Sequence, residues 1–226
     1  MNKQGNGKIE YLDWTWSPFV GCTFGCSYCW ARKAAKRQKC AKCKAFMPHL
    51  HLDRLNQPAE VKKPQRIGVC FSSDLWGDVV EWGCQALIFD RITTLQRHQF
   101  LLLTKQPQNI EPQYASPNLW QGVSVTCADD LWRIDELVKR VPARRVVSFE
   151  PLLGEIVSKE TDLYLWLRGI DWVIIGGLTP KAVHKPSWVS EIINHAWMTK
   201  ISVFVKDNAQ YDYLGGKAIQ EYPKGW

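Results

Sequence analysis

The chain has 226 residues, 46% of them hydrophobic and 23% charged, and its 29 Lys and Arg against 22 Asp and Glu give a net charge of +7. This balance fits a single globular domain over 1–226 and excludes wholesale disorder or a fibrous repeat. The longest apolar runs, such as Trp172 to Ile175 and Phe100 to Leu103, fall far short of the roughly 18 residues a bilayer requires, so no membrane partner is expected. The first eight residues lack the apolar segment of a secretory signal, which points to the cytoplasm. The basic excess favours a polyanionic partner such as nucleic acid or a nucleotide.

In chain order, a strand is predicted near Tyr11 to Trp16. After it come a cysteine-rich loop, a basic helix carrying Arg32, Lys33, Lys36 and Arg37, and a segment at 39–64, rich in Cys, His, Pro and charge, that reads as an insertion. Short β-branched runs then alternate with amphipathic stretches, the signature of βα units. Strands are predicted at Arg66 to Phe71, Gln99 to Leu103, Leu119 to Val125, Arg144 to Phe149, Asp171 to Ile175 and Ile201 to Val205. Helices are predicted at Val79 to Arg97, Asp130 to Arg140, Asp162 to Leu167 and Trp188 to Thr199. About six such units, joined by right-handed crossovers, predict an α/β fold of TIM-like barrel type, closed only in part, with residues 208–226 as a C-terminal tail.

Each predicted strand ends in polar or sharply turning residues: Ser72-Ser73-Asp74, Thr104-Lys105, Ser124 with Thr126, Glu150-Pro151, Gly176-Gly177 and Lys206-Asp207-Asn208. In a barrel the C-terminal strand ends form the active face, so these groups are expected to share one mouth. Strand capping is the plainer alternative. Lys105 and Lys206 are expected to meet an anionic substrate or to neutralise Asp74, Glu150 or Asp207. Glu150 would bind ribose or manage a substrate proton. His184 reads as a loop histidine at the surface. Twelve tryptophans are expected mainly to pack, with base stacking the alternative.

Eight cysteines without a signal peptide point to metal chemistry in a reducing compartment. Cys22, Cys26 and Cys29 follow C-x3-C-x2-C spacing, with Tyr28 just before the last. Three thiolates on one tight loop can hold three irons of a [4Fe–4S] cluster and leave the fourth open, whereas structural zinc wants a fourth ligand, for which Cys70 or Cys127 would have to serve. Cys40 and Cys43, followed by His49 and His51, form C-x2-C-x5-H-x-H. That set could close a zinc site stapling the insertion without affecting the first cluster; an auxiliary iron–sulfur cluster and unligated thiols are the alternatives. Cys70, Cys84 and Cys127 stand singly and read as small buried hydrophobes.

The cysteine loop resembles the defining motif of the radical S-adenosylmethionine superfamily. More of the chain, from about Tyr11 to Asn208, resembles a phage-associated radical-SAM-like family through Cys70-Phe71-Ser72-Ser73-Asp74-Leu75, Leu103-Thr104-Lys105-Gln106-Pro107, Asn118 to Val125, Val147 to Gly154 and Asp171 to Gly177. The resemblance implies that the open iron binds S-adenosylmethionine, that an external electron donor drives its cleavage to a 5′-deoxyadenosyl radical, and that the radical takes a hydrogen atom from the substrate. It also implies that Tyr28 lies beside the adenine, which would rest against Gly176 and Gly177. Ser72, Ser73 and Asp74 would receive the amino group or ribose, and Ser124 and Thr126 the ribose. One departure is Thr179, where many members of that family carry Glu.

The expected activity is therefore radical rearrangement, isomerisation or lyase chemistry on a nucleic-acid base or modified nucleoside, in the cytoplasm of a bacterial or phage-infected host. A non-catalytic zinc module that binds nucleic acid, and a radical maturase of a peptide or protein, are the competing classes. Neither oligomeric state nor the fate of the cofactor is legible.

Overall fold

The computed structural model describes residues 1–5, 8–158, 162–209, 211 and 218–226. In chain order the elements are β1 (Asn2–Lys3), β2 (Trp14–Trp16), β3 (Phe19–Val20), α1 (Trp30–Ala35), α2 (Ala41–Lys44), β4 (His49–Leu50), α3 (Gln57–Glu60), β5 (Arg66–Val69), α4 (Trp82–Thr94), β6 (Gln99–Thr104), β7 (Leu119–Ser124), α5 (Trp132–Arg140), β8 (Arg145–Phe149), α6 (Leu163–Trp166), β9 (Trp172–Ile175), α7 (Pro186–Met198) and β10 (Ser202–Val205). The chain is thus a mixed α/β protein with mostly parallel strands, as its alternating pattern predicts. Its contacts divide it into two compact units, 1–120 and 121–226.

In the first unit the strand order is β1-β2-β5-β6. β1 is antiparallel to β2, and the remaining pairs are parallel, in the register Trp14↔Ile67 and Ile67↔Phe100. Ile67, Phe100, Leu101 and Leu102 are buried. Asp13 locks the start of this sheet, its carboxylate accepting the Arg66 backbone N–H at 2.8 Å and the guanidinium at 3.0 and 3.2 Å. A separate antiparallel pair joins β3 to β4, Phe19 opposite Leu50 and Val20 opposite His49.

The predicted start of α4 at Val79 is corrected to Trp82. Asp74 organises the intervening residues into turns: its carboxylate takes the Trp76 N–H and its carbonyl the Gly77 N–H. Local side-chain bonding of this kind competes with helix for the same backbone donors.

The second unit carries β7-β8-β9-β10, all parallel, with Val123, Val147, Val173 and Val203 aligned across four strands. All four valines are wholly buried. A parallel sheet covered on both faces requires continuous apolar runs, which is why Trp172-Val173-Ile174-Ile175 reads as a strand without alternation. α5 is amphipathic, with Ile134 and Leu137 fully buried, each contributing about 1.5–3 kcal/mol of burial free energy. α7 begins at Pro186, two residues before the predicted start, because proline suits the first turn of a helix.

Part of the C-terminal tail is built onto β10. Gln220 bridges Phe204 antiparallel, and Val205 N–H donates to the Ile219 carbonyl at 2.8 Å. The Tyr222 and Trp226 rings lie 5.9 and 5.1 Å from that of Trp172. Residues 210 and 212–217 of that segment lie outside the described residues.

Tryptophan serves packing at Trp16, Trp76, Trp120 and Trp172, which are buried, whereas Trp30 and Trp82 are 62% and 65% exposed.

Candidate functional site

In the first unit, β3 runs through Gly21 into the cysteine loop, and the loop runs directly into α1. Gly21 has φ +86°, and a Cβ there would stand 2.3 Å from the Met47 carbonyl oxygen, so glycine is required both by conformation and by close approach. Cys22, Cys26 and Cys29 are each half-buried. Cys22 Sγ accepts the Phe24 N–H at 3.4 Å, and Cys29 Sγ caps α1 by accepting the Arg32 N–H at 3.3 Å. Burial pushes the Cys22 thiol up, and the Phe24 N–H opposes that shift. Backbone donors aimed at sulfur suit anionic thiolate, the form that ligates iron.

Lys105, expected to meet a substrate anion or to neutralise a carboxylate, reaches this loop. Its ammonium donates to the Tyr28 hydroxyl and lies 3.5 Å from Cys26 Sγ and 4.6 Å from the Tyr28 ring centroid. The reason lies one layer below. Asp74 is buried, and its carboxylate accepts the Thr104 hydroxyl at 2.7 Å and the Lys105 N–H at 2.9 Å. Burial raises the Asp74 pKa, while those bonds hold it down. Asp74 therefore aims Lys105 at the loop. Ser73 also ties elements together, donating to the Phe19 carbonyl at 2.9 Å and to that of Cys70 at 3.2 Å. Ser72 is half-buried at the end of β5.

Cys70 is fully buried, and its thiol is pushed up to about 12 by desolvation. Among the described residues, the His, Cys, Asp and Glu group gathered closely enough for one metal ion is Cys40, Cys43, His49 and His51, whose ligand atoms lie within 4.8 Å of one another.

The insertion holding this group does not stand apart from the cysteine loop, contrary to expectation. Phe46 packs with Ala31 and Ala35 of α1, and Cys22 and Cys29 pack on that small core. The Arg32 guanidinium lies 4.7 Å from the Phe46 ring centroid and donates to the Cys22 carbonyl at 3.0 Å. Arg32 of the basic stretch is a brace for the loop.

In the second unit, Lys206 is buried, and its ammonium donates to Glu150. That ion pair is the carboxylate pairing expected as the alternative to a substrate anion. A Cβ on Gly176 would meet Glu150 Cδ at 2.8 Å and Lys206 Cδ at 3.0 Å, so glycine lets the ion pair approach the strand end closely. At Gly177 the neighbour is Asn208, whose side-chain amide donates to the Gly177 carbonyl at 2.8 Å and accepts its N–H at 3.1 Å. Sequence pattern gave no signal for that clamp beyond Asn208 closing a strand. His184, expected at the surface, is buried, with Cε1 2.8 Å from where a Gly177 Cβ would stand. The Thr126 hydroxyl donates to Asp130 at 2.7 Å, and the Arg133 guanidinium pairs with Asp130 at 2.7 Å. Ser124 is half-buried, its carbonyl accepting from Arg133 at 2.8 Å.

A family model described as a protein of unknown function, DUF5131, matches residues 6–222. The chain belongs to this family. No curated protein matches this DUF5131 chain. Among solved structures it is similar to spore photoproduct lyase complexed with dinucleoside spore photoproduct, with 10% identity, 83% of this chain and 74% of that chain covered, and a TM-score of 0.52. A doubly substituted variant of that lyase with bound S-adenosylmethionine and dinucleoside spore photoproduct gives 9% identity, 84% and 74% coverage, and a TM-score of 0.54. The likeness is one of fold: the DUF5131 chain shares the partial TIM-like barrel. Among the described residues no helix is long and apolar enough to cross a membrane.

Proposed function

We propose that this DUF5131 protein is a radical S-adenosylmethionine enzyme that acts on a nucleic-acid base or modified nucleoside by lyase or isomerase chemistry, with an external electron donor. The observation that carries the reading is the loop itself: three half-buried thiols between β3 and α1, two of them receiving backbone N–H donors and the third receiving an ammonium. That donor set fits a [4Fe–4S] cluster, with Cys22, Cys26 and Cys29 as its ligands. When bound, the cluster and S-adenosylmethionine supply one-electron cleavage of the sulfonium and abstraction of a substrate hydrogen atom.

The residues of the chain hold and shield that chemistry. Lys105 places positive charge beside Cys26 and fixes the Tyr28 ring that is proposed to face the adenine. Ser72 is proposed to receive a polar group of the cofactor, with Ser73 and Asp74 supporting from below. In the second unit, Ser124, Thr126, Gly176 and Gly177 are proposed to serve the cofactor, and Glu150 with Lys206 to orient the substrate. The net charge of +7 and the dinucleoside bound by the fold neighbour support a nucleotide substrate.

The test is anaerobic reconstitution with iron and sulfide, followed by measurement of 5′-deoxyadenosine with DNA, nucleotides and modified nucleosides. Dithionite-dependent release that is lost in Cys22→Ala, Cys26→Ala and Cys29→Ala is expected. Full iron content and cleavage in Cys26→Ala would overturn the reading.

A further inference from the structure

The group at Cys40, Cys43, His49 and His51 has the geometry of a single tetrahedral ion. Cys43 Sγ lies 3.5 Å from His49 Nε2 and 3.1 Å from His51 Nε2, and Cys40 Sγ lies 3.7 Å from His49 Nε2. Zinc–sulfur bonds of about 2.3 Å and zinc–nitrogen bonds of about 2.0–2.1 Å at tetrahedral angles put sulfur and nitrogen about 3.5 Å apart. The outer contact of His49 agrees: its Nδ1 faces the Met47 carbonyl at 2.8 Å. That acceptor keeps the proton at Nδ1 and leaves the Nε2 lone pair for a metal, and in both rings Nε2 points at the sulfurs. The Asp53 carboxylate lies 3.7 Å from His51 Nδ1.

Four protein donors leave no open coordination position, so such a site is structural. Two thiolates also match the charge of a divalent ion. A polynuclear cluster would need its donors spread more widely than 4.8 Å.

The position of the group tells what such an ion would support. His49 lies on β4, opposite Val20 of β3, and the His51 N–H donates to the Pro18 carbonyl at 2.7 Å. Two residues beyond Val20 stands Cys22. Between the two histidines and Cys43 the chain turns through Phe46, on whose small core Cys22 and Cys29 pack, and through Met47, against which Gly21 closes.

We propose that Cys40, Cys43, His49 and His51 hold one zinc ion in a closed tetrahedral site, and that this ion fixes the floor on which the Cys22–Cys29 loop is built. The second half rests on the iron–sulfur reading above; the first half does not.

The experiment uses the full-length chain with metal analysis and cobalt substitution. About one zinc per chain is expected in the wild type and equally in the Cys22→Ala/Cys26→Ala/Cys29→Ala variant. Co(II) added to either, after zinc removal, should give the visible bands of a tetrahedral thiolate site. Absence of zinc together with absence of those bands overturns the site, whatever the iron content. Cys43→Ser should lose zinc and, on reconstitution, more than half of its iron. His49→Cys preserves four donors and should keep both metals, which separates loss of the ion from general misfolding. Full iron loading in a zinc-free Cys43→Ser chain overturns the coupling. A wild type that holds zinc but assembles no iron cluster overturns the coupling and the proposed function while the zinc site stands.

Discussion

Lys105 Nζ lies 3.5 Å from Cys26 Sγ, with its backbone N–H held at 2.9 Å by Asp74. The ammonium is therefore attached to the cysteine loop by a rigid strand end. A cation beside a cluster ligand stabilises the more negative, reduced state. Lys105→Met is expected to keep its iron and to shift the cluster midpoint to more negative potential. A redox titration followed by electron paramagnetic resonance measures the shift, and an unchanged midpoint would remove Lys105 from the cluster environment.

Gly21 and Gly25 both have positive φ, yet they differ in surroundings. A Cβ at Gly21 meets the Met47 backbone at 2.3 Å, whereas at Gly25 the nearest atom is 3.8 Å away. Gly25→Ala should cost about 1–2 kcal/mol from conformation alone. Gly21→Ala must also push the Met47 turn aside, so its loss should be larger and accompanied by poor iron incorporation. Urea denaturation of the two variants, side by side, tests the ranking.

Lys206 and Glu150 form a partly buried ion pair. Removing one partner from a buried pair leaves a charge without compensation, a loss of about 3–5 kcal/mol at full burial and less here, since Glu150 retains 24% exposure. Lys206→Met should therefore be markedly destabilised, and Lys206→Met/Glu150→Gln should recover most of the loss. If the double variant regains stability but not turnover, the pair serves the substrate. If it regains both, the pair is structural.

Burial alone would raise the Asp13 pKa, but its bonds to Arg66 outweigh that and hold it below the usual carboxylate range. A depressed folded-state pKa gives stability that is present above the unfolded value near 3.9 and lost as pH falls through the folded value. Asp13→Asn should be less stable than wild type at pH 7, by about 1 kcal/mol after screening at this partly exposed site. The difference should shrink as pH falls below the unfolded value and through the depressed folded one. Denaturation curves across that range check the sign.

On α1 and the turn that follows it, Lys33, Lys36 and Arg37 are exposed, while Arg32 braces Cys22. If the three exposed cations contact duplex DNA, their joint replacement by Ala should reduce the slope of log affinity against log salt by about 0.9 for each contact. Anisotropy over a salt series measures this. Arg32→Ala should act on iron loading instead.

Much of this was legible in the chain because it depends on local pattern. The buried run Trp172 to Ile175 reads as a strand, and the spacing of Cys40, Cys43, His49 and His51 places four donors together, since both signals lie within a few residues. What escaped depends on contacts between distant segments. Nothing near Phe46 announces Ala31 and Ala35 as its neighbours, so the insertion read as independent of the cysteine loop. The close approach of Glu150 and Lys206 to Gly176 likewise joins segments far apart in the chain. His184 read as exposed because its burial is set by the fold around Gly177.

Trp30, which directly follows Cys29, has 62% of its surface in water while Trp16, Trp76, Trp120 and Trp172 are enclosed. An indole in that position is an optical probe already fitted to the loop. Its emission should be red-shifted from that of the enclosed indoles, and a chromophore assembled on the neighbouring thiols would quench it by energy transfer. The difference in fluorescence between wild type and Trp30→Phe would then follow the filling of the loop in real time, without a label.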